Sequence, residues 1–351
     1  MNFLIIIIVF ILLYLIRNYF IGTFNPIKKD LTNKFIIITG GTSGIGKFCV
    51  TELIKQKCKK IIFASRSEEK AKEIIQKLDK NEKQKVEFIK LDLCDFSSIK
   101  NFALKIKSSY PKIDILMNNA GALISSFSIT KNGYDKSLQS NILGPAYLTF
   151  LLLNHFSHEG RIINVSSVAH TFPTIQLGDS KKFKDENYLK SYYENTAYIN
   201  LFKMLKQYYN TLIWYGTAKL LLIYLTLYLK DLVEEKYKNI KVFAVHPGLV
   251  DTKFYDNKDF PFIQTLMQQI LSPFYFIVMK TSSQGAQTQL YLCNEEIEKL
   301  NNGGYYADCK LKDISKKAKD ENFKKEYTNW IIEQLKEIDK RNDIINGLKF
   351  L

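Results

Sequence analysis

The chain begins with an apolar segment, residues 3–24, in which Arg17 and Asn18 form the one strongly polar break. A helix of this length is just long enough to cross the ~30 Å hydrocarbon core of a bilayer, and Arg17 can reach the headgroups. No Lys or Arg precedes the segment and no small-residue cleavage site follows it, so a cleaved signal peptide is the less favoured interpretation. We therefore expect residues 1–24 to form an N-terminal transmembrane helix that anchors the protein.

Beyond the anchor, short β-rich runs alternate with longer helical patterns, an order typical of a parallel sheet wrapped by helices. Runs that are apolar at every position, as in Phe35–Ile38, fit strands buried on both faces. The pattern predicts an α/β fold, a Rossmann-type doubly wound parallel sheet with helices on both faces, in a single catalytic domain over residues 25–351. The predicted strands are Phe35–Thr39, Ile61–Ser65, Val86–Leu91, Ile113–Met117, Arg161–Val165 and Val242–Val245. The first two predicted helices are Ile45–Lys57 and Glu68–Leu78.

Two stretches of the catalytic domain differ from their surroundings. Residues 180–200 are rich in Lys, Tyr, Glu and Asn, which predicts a polar insertion that runs over the surface. Residues 260–279 are apolar and aromatic but are broken by Pro261 and Pro273, which disfavours a second membrane helix. We interpret this second stretch as a lid over the substrate, with ordinary helical packing or contact with the bilayer surface as alternatives.

The charge composition of the chain indicates which kinds of partner it can bind. The chain has 351 residues and a formal net charge of +15, but its lysines are scattered and form no compact arginine-rich arm. We interpret the excess as a solvated surface with some help in membrane apposition, and we predict no nucleic-acid partner. Lys28, Lys29 and Lys34 follow the anchor, which places the catalytic domain in the cytosol by the positive-inside rule. The five cysteines form no CxxC pair, which indicates a reducing compartment and no metal site.

A glycine-rich turn joins the first predicted strand to the first predicted helix. Its sequence is Thr39-Gly40-Gly41-Thr42-Ser43-Gly44-Ile45-Gly46. The glycines let backbone N–H groups and the helix N-terminus approach a pyrophosphate, so the turn predicts a dinucleotide cofactor. The second strand ends at Arg66 rather than at a carboxylate that would bind a ribose 2′-hydroxyl. A guanidinium at this place fits the 2′-phosphate of NADP(H).

Four further motifs follow in chain order. They are Asn118-Asn119-Ala120-Gly121, Ser140-Asn141-Ile142, Arg161-Ile162-Ile163-Asn164-Val165-Ser166-Ser167 and Tyr215-Gly216-Thr217-Ala218-Lys219. Together with the glycine loop, these motifs resemble those of the classical short-chain dehydrogenase/reductase family over nearly all of residues 33–310. The resemblance implies a nicotinamide cofactor and hydride transfer between it and a carbonyl or alcohol substrate.

The spacing of Tyr215 and Lys219 explains why such a family needs both residues. Side chains four apart lie on one helix face, so the ammonium can stand beside the phenol. The pKa of a phenol, about 10, must fall to near 7 for exchange of protons at neutral pH, which requires about 4 kcal/mol of stabilisation. A neighbouring cation supplies such stabilisation, and Tyr215 would then protonate or deprotonate the reacting oxygen.

The resemblance implies the remaining site residues. Ser167, with Ser166 as an alternative, hydrogen-bonds the substrate oxygen, and Asn141 holds a water in the proton relay. The catalytic set is thus Asn141, Ser167, Tyr215 and Lys219. The cofactor-binding set is Thr39, Gly40, Thr42, Ser43, Gly44, Ile45, Gly46, Arg66, Asp92, Leu93, Asn118, Ala120, Gly121, Tyr215, Lys219, Pro247, Gly248 and Thr252. Ser167 and Tyr215 lie further apart in sequence than in compact family members, because the insertion separates them.

Several stretches resemble the membrane-anchored retinol-dehydrogenase-like group of that family. They are Gly133-Tyr134, Asn164–His170, Val245-His246-Pro247-Gly248 and Gly303–Lys310. The resemblance implies an NADP(H)-dependent enzyme of the endoplasmic reticulum membrane that interconverts a lipophilic carbonyl compound (retinoid, steroid or fatty) and its alcohol. The alternatives are another short-chain reductase, of the hydroxysteroid or protochlorophyllide-reductase type, and a membrane protein that binds NADP(H) without turnover. His170 and His246 are interpreted as structural, and a homodimer is left open.

Overall fold

The computed structural model of the chain describes residues 2–22, 24, 31–193, 201–237, 239–250, 277–340 and 343–348. The predicted lid at 260–279 lies outside the described residues except for its last three positions. Thr252 and the last part of the predicted insertion, residues 194–200, also lie outside them.

Eight strands form one sheet in the order β3-β2-β1-β4-β5-β6-β7-β8. The strands are β1 Phe35–Thr39, β2 Lys60–Ser65, β3 Val86–Lys90, β4 Ile113–Asn118, β5 Phe156–Val165, β6 Lys241–His246, β7 Tyr305–Ala307 and β8 Lys310–Lys312. The first seven are parallel, and β8 pairs antiparallel with β7. This confirms the predicted Rossmann-type α/β sheet. The strand order reverses between β1 and β4, and ligands of such sheets bind outside the carboxyl ends of the strands at that point.

Helices connect the strands and cover the sheet. They are α1 Asn2–Ile21, α2 Gly44–Lys55, α3 Glu68–Gln76, α4 Lys80–Lys85, α5 Phe96–Ser109, α6 Lys136–Leu138, α7 Gly144–Leu152, α8 Glu186–Lys190, α9 Leu201–Lys236, α10 Ser282–Gly285, α11 Gln287–Asn294, α12 Glu321–Ile338 and α13 Asp343–Asn346. A π-helical turn, Gln139–Leu143, joins α6 directly to α7.

The sheet has a hydrophobic core on each face, as its all-apolar strands predict. Phe35 and Ile37 of β1 belong to one core, which contains buried residues of α5, α7, α9 and α12. Ile36 and Ile38 point the other way, into a core that includes buried residues of α2 and α11. Alternate side chains of a strand face opposite sides of the sheet, and every residue of β1 is buried.

Two helices are apolar along much of their length, and the structure separates them by burial. The most apolar window of Tyr208–Lys236, within α9, is long enough to cross a bilayer, yet 89% of it is buried inside the protein. This part of α9 is therefore a core helix. In α1, by contrast, Phe10 is 68% and Tyr14 is 65% exposed. Arg17 near the end of α1 donates hydrogen bonds to the carbonyl oxygens of Ile277 and Met279, which connects α1 to the domain.

The predicted insertion is more than a polar surface excursion. Its charged side chains between 181 and 190 are exposed, but Phe183, Leu189 and Tyr193 are almost completely buried. The ring of Phe183 contacts Trp214 edge to face, at 5.3 Å between centroids. The aromatic residues of this segment thus pack against α9, and the sequence interpretation missed this because charged and aromatic positions are intermixed.

Candidate active site

In the glycine loop between β1 and α2, the backbone approaches neighbouring parts of the chain closely. Gly40 has a φ of +70° and Gly44 a φ of +50°, which glycine adopts more readily than other residues. A Cβ on Gly46 would lie 2.4 Å from both the carbonyl oxygen of Gly40 and Nδ2 of Asn119. Ser43 precedes α2 and makes no side-chain cap. The first N–H groups of α2 are therefore not satisfied by that side chain, as a phosphate-binding helix end requires.

The segment after β4 is fastened to the start of the glycine loop. The amide of Asn119 donates to the carbonyl oxygen of Thr39 at 2.9 Å, and the N–H of Ala120 donates to Oγ1 of Thr39 at 3.0 Å. A Cβ on Gly40 would stand 2.9 Å from Cα of Ala120. The predicted cofactor residues of β1 and β4 are therefore brought together at the reversal point of the sheet.

Arg66 is exposed at the end of β2, next to the end of β3. Its positive charge acts on the thiol of Cys94, whose pKa is nevertheless raised by burial and by Asp92. One oxygen of Asp92 accepts a hydrogen bond from the N–H of Cys94 at 2.9 Å. Asp92, Cys94 and Lys136 line an open cleft at this edge of the sheet. Arg66 and Asp92 thus both lie near Cys94.

Two predicted cofactor residues have side chains that face the interior. The amide of Asn118 is 2% exposed and donates to Oγ1 of Thr149 and to Oδ1 of Asn164, both at 2.9 Å. The side chain of Leu93 is 8% exposed and belongs to a hydrophobic core. These side chains tie the sheet to its helices, so a contact with a cofactor would have to come from their backbone.

The two serines at the end of β5 have different surroundings. Ser166 is 2% exposed, and its hydroxyl donates to the carbonyl oxygen of Lys219 at 2.9 Å. Ser167 is half-buried, and its oxygen accepts a hydrogen bond from the N–H of Ala169 at 3.1 Å. The hydroxyl proton of Ser167 is not used in that bond and can be given to a substrate oxygen. This difference favours Ser167 over Ser166.

Tyr215 and Lys219 lie one turn apart on α9, beside the end of β5. Nζ of Lys219 is 5.5 Å from the centroid of the Tyr215 ring. The same nitrogen donates to the carbonyl oxygen of Val165 at 2.8 Å. Lys219 is 2% exposed, and its burial lowers the pKa of the ammonium to about 7. An ammonium that is close to the phenol and shielded from water strongly stabilises a negative charge that develops on the phenol oxygen.

Asn141 lies in the π-helical turn, and its side chain points towards Lys219. Its amide donates to the carbonyl oxygens of Ala122 and Ser137 at 2.9 and 3.0 Å, and its Oδ1 accepts from the N–H of Ala122 at 3.0 Å. A Cβ on Gly121 would lie 3.0 Å from Nζ of Lys219 and 3.1 Å from Oδ1 of Asn141. The side chains of Asn141 and Lys219 therefore meet at Gly121, where an added Cβ would crowd both.

The loop after β6 follows the strand that neighbours β5 in the sheet. Gly248 has a φ of +90°, and a Cβ there would lie 2.7 Å from Cδ of Lys280. Lys280 is buried and pairs with Asp308 at 2.6 Å. The described part of the chain contains no cluster of three or more His, Cys, Asp or Glu that could hold a metal ion.

Comparison with known proteins decides the family. Residues 34–178 match the sequence model of the family described as short chain dehydrogenase. Retinol dehydrogenase 12 of Mus musculus is 30% identical over 309 residues, which are 87% of this chain and 87% of that protein. The chain belongs to the short-chain dehydrogenase/reductase family. Within that family it belongs to the retinol-dehydrogenase-like group, since further retinol dehydrogenases match over most of the chain.

Other relatives of this short-chain dehydrogenase agree. Polyprenol dehydrogenase of Homo sapiens is 27% identical over 304 residues, which cover 84% of this chain and 83% of that protein. A short chain dehydrogenase from Burkholderia cenocepacia J2315, solved in complex with NADP, has a TM-score of 0.54 at 20% identity and covers 79% of this chain and 96% of its own. The likeness to that structure shows the fold. Membership of the family makes the protein an oxidoreductase that acts on CH–OH or carbonyl groups with a nicotinamide cofactor.

Both histidines of the site region are structural in this dehydrogenase, as the sequence interpretation expected. Nε2 of His170 accepts from the N–H of Ser315 at 3.1 Å, so Nδ1 carries the proton and donates to the carbonyl oxygen of Ser167 at 2.8 Å. Nδ1 of His246 accepts from the N–H of Val168 at 3.2 Å. Burial lowers the pKa of both imidazoles, that of His246 to about 4. Both rings are therefore neutral at pH 7 and hold the loop that carries Ser167.

Gly216 brings the helix that carries Tyr215 close to the turn after Ser167, and sequence reasoning missed this role. A Cβ at this position would lie 2.3 Å from the carbonyl oxygen of Ala169. The absence of a side chain therefore lets α9 pack directly on the turn that follows Ser167, in spite of the long insertion between them. A glycine beside Tyr215 was visible in the sequence, but its partner Ala169 is 47 positions away.

Gly216→Ala is expected to lower kcat by roughly 10- to 100-fold, because an added methyl forces α9 away from the Ser167 turn and a shift of about 1 Å can cost this much. The steady-state rate of NADPH oxidation measures the effect. Ala218→Gly is the matched control: it weakens the same helix by about 1 kcal/mol but adds no atom, so kcat should stay nearly unchanged. Full activity of Gly216→Ala would show that this contact does not position the site.

Proposed function

We propose that this protein is an NADP(H)-dependent oxidoreductase that interconverts a lipophilic carbonyl compound and its alcohol, with Tyr215 as the general acid and base. The observation that carries the proposal is the convergence of four side chains at the carboxyl ends of β4 and β5, where the sheet faces the glycine loop. They are Asn141 and Lys219, which meet at Gly121, Tyr215, whose ring lies beside Lys219, and Ser167, which is bonded to Ala169 next to Tyr215. The family uses a nicotinamide cofactor, and these residues lie where its reactive end would be.

The residues of the chain fit such a cofactor. The glycine loop has no room for side chains at Gly40 and Gly46, and α2 begins there without a side-chain cap. Gly121 keeps space open next to Lys219 and Asn141. When bound, a nicotinamide supplies the hydride for reduction or accepts it in oxidation. Everything else in the reaction is the movement of one proton, and that is the task of the protein.

In reduction, the phenol of Tyr215 gives its proton to the carbonyl oxygen, which the hydroxyl of Ser167 orients by a hydrogen bond. The charge left on the phenol is stabilised by the ammonium of Lys219. Asn141 is fixed at its Oδ1 and at its amide by Ala122, and we assign it to the relay that returns a proton towards Lys219. In oxidation the same steps run in reverse, with the phenolate as base.

The cofactor preference is proposed from Arg66. Among the described residues Arg66 makes no ion pair, so its guanidinium is available for a 2′-phosphate. Arg66→Asp should lower the ratio of kcat/KM for NADPH over that for NADH by roughly 10- to 100-fold, because a charged hydrogen bond is lost and repulsion is added. Lys70→Asp makes the same charge change on the exposed start of α3 and should leave the ratio within about twofold. An unchanged ratio in Arg66→Asp would overturn the assignment to NADP(H).

We propose membrane anchoring and a lipophilic class of substrate together. The exposed apolar surface of α1 is suited to a bilayer, and we assign residues 3–24 to a transmembrane anchor with the catalytic domain in the cytosol, in the endoplasmic reticulum. Two similar proteins are named for retinol and for polyprenol, both lipophilic alcohols. A substrate that dissolves in the membrane would reach the site from there.

The test of this function is a screen of NADPH consumption by the full-length protein in detergent micelles or vesicles. Retinoid, steroid and fatty aldehydes and ketones are the substrates, and water-soluble carbonyl compounds are the comparison. We expect turnover of at least one lipophilic class and little of the soluble compounds. Binding of NADPH without reduction of any carbonyl compound, in wild type and Tyr215→Phe alike, would instead favour a protein that binds the cofactor without turnover.

A further inference from the structure

A buried carboxylate lies next to the proposed catalytic centre without touching it. Asp135 is 1% exposed. Its Oδ1 accepts hydrogen bonds from the N–H of Leu138 at 2.9 Å and from Nε1 of Trp214 at 3.0 Å. Its Oδ2 accepts from the hydroxyl of Tyr193 at 3.1 Å. No ion pair to Asp135 exists within the described ranges. The buried carboxyl group is therefore hydrogen-bonded by uncharged donors alone.

The three donors come from three different parts of the fold. Leu138 is in the first turn of the helical run that continues into the π-helical turn with Asn141. Trp214 directly precedes Tyr215 on α9. Tyr193 is the last described residue of the insertion before α9. A helix N-cap explains the bond from Leu138 but not the other two. Asp135 therefore connects three segments: the helical run that leads to Asn141, the helix α9 that carries Tyr215, and the insertion.

The bond to Trp214 has a direct geometric consequence for Tyr215. Consecutive residues of an α-helix point about 100° apart around its axis, so fixing the direction of one side chain fixes that of the next. The indole is also held by the insertion, because the ring of Tyr192 stacks on it at 4.6 Å between centroids. Rotation of α9 about its axis is thereby restricted on the side away from the site.

We propose that Asp135 is a positioning residue, and that the insertion serves to hold the helix of Tyr215 in register with the turn of Asn141 through Tyr193, Asp135 and Trp214. The inference rests on the proposed function, in which Tyr215 exchanges the proton. It gives the insertion a task inside the protein rather than at its surface. Loss of either neutral donor leaves a buried carboxylate less satisfied and lets α9 turn, which moves the phenol relative to Ser167 and the turn of Asn141.

The test uses two substitutions that each remove a single donor and leave an aromatic ring at the position. Trp214→Phe removes the indole N–H, and Tyr193→Phe removes the hydroxyl. We expect each to lower kcat by roughly 10-fold, less than the 10²-fold that a displacement of about 1 Å can cost, with the KM for NADPH unchanged. The pKa of the Tyr215 phenol with NADP⁺ bound, measured by ultraviolet difference absorbance against Tyr215→Phe, should rise in both.

Tyr192→Phe is the matched control, because its hydroxyl contacts that of Tyr188 rather than Asp135 in the same aromatic cluster. It should leave kcat and the phenol pKa unchanged, whatever it does to the melting temperature. Asp135→Asn keeps two oxygen-directed bonds and should retain most of the activity, whereas Asp135→Ala should not. Coupling between Asp135→Ala and Trp214→Phe in a double-mutant cycle would locate the effect in this bond.

The inference is overturned when Trp214→Phe and Tyr193→Phe lower only the melting temperature and leave kcat and the phenol pKa as in Tyr192→Phe. Failure of the proposed function is a different result: wild type would then turn over no carbonyl compound. The phenol titration needs no substrate, so it decides the positioning role of Asp135 in that case as well.

Discussion

Tyr215→Phe is expected to lower kcat by roughly 10²- to 10⁴-fold, the contribution typical of a general acid or base, while the affinity for NADPH stays within about twofold. The ring of Tyr215 is buried between Leu123 and Ala169, and phenylalanine fills the same space. The variant therefore loses the exchangeable proton and little else. Steady-state oxidation of NADPH gives kcat, and quenching or enhancement of NADPH fluorescence gives the dissociation constant.

Tyr224→Phe is the control for this result. Tyr224 lies on the same helix, is completely buried and donates its hydroxyl proton to the carbonyl oxygen of Lys317 at 2.8 Å. Its loss should cost about 1 kcal/mol of unfolding free energy and leave kcat unchanged. If Tyr215→Phe also retained most of its kcat, another group would have to supply the proton, and the assignment of Tyr215 would be wrong.

Lys219→Met should have opposite effects on activity and on stability. Turnover should fall by roughly 10²-fold or more, because the phenol loses the cation that stabilises its charged form. The cofactor-free protein should at the same time become more stable, by on the order of 3 kcal/mol at pH 7. Burial without a counter-ion lowers the pKa of this ammonium to about 7, so folding at neutral pH must either bury a charge or release a proton.

The stability gained by Lys219→Met is expected to depend on pH. Between about pH 7 and pH 10 the unfolded chain keeps the Lys219 proton that the folded protein has lost, so wild type gains stability as the pH rises. The advantage of Lys219→Met should therefore be largest at or below about pH 7 and should shrink towards pH 10. Denaturant unfolding of the cofactor-free protein at several pH values measures it. Lys230→Met, which removes a surface lysine paired with Asp231 and Glu234 on the same helix, should show no such gain.

A Lys219→Met variant that is less stable than wild type at pH 7 would show that the ammonium has a partner which compensates its burial. Retained turnover would be more serious, because the pKa of Tyr215 would then have to be lowered by something else. Both outcomes are separable from misfolding, since the unfolding curve itself reports a cooperative transition.

The sheet was predictable from the sequence because its central strands are buried on both faces. A run such as Phe35–Thr39 can be apolar at every position only in such a place, and the structure puts that strand at the predicted residues. The strands β7 and β8 were missed because neither gives a long apolar run. Tyr305–Ala307 is buried but has only three residues, and Lys310–Lys312 is exposed throughout.

The site was predictable as far as it follows the ends of strands. Ser167 and Asn141 could be placed from motifs, since the carboxyl ends of parallel strands meet at one edge of the sheet. Contacts that depend on distant segments could not be placed. Gly216 needs the carbonyl oxygen of Ala169, and Asp135 needs Trp214 and Tyr193, which lie far along the chain. No local pattern distinguishes these residues from ordinary members of a turn or helix.

A structure of the full-length protein with NADP⁺ and an unreactive carbonyl ligand would locate the phenol, the ammonium and the nicotinamide together. We expect the hydroxyl of Tyr215 within about 2.6–3.2 Å of the ligand oxygen, with Ser167 bonded to the same atom and Lys219 on the nicotinamide side. A nicotinamide held elsewhere, with Tyr215 turned away from it or with residues of the chain itself in the pocket, would contradict the proposed catalytic role.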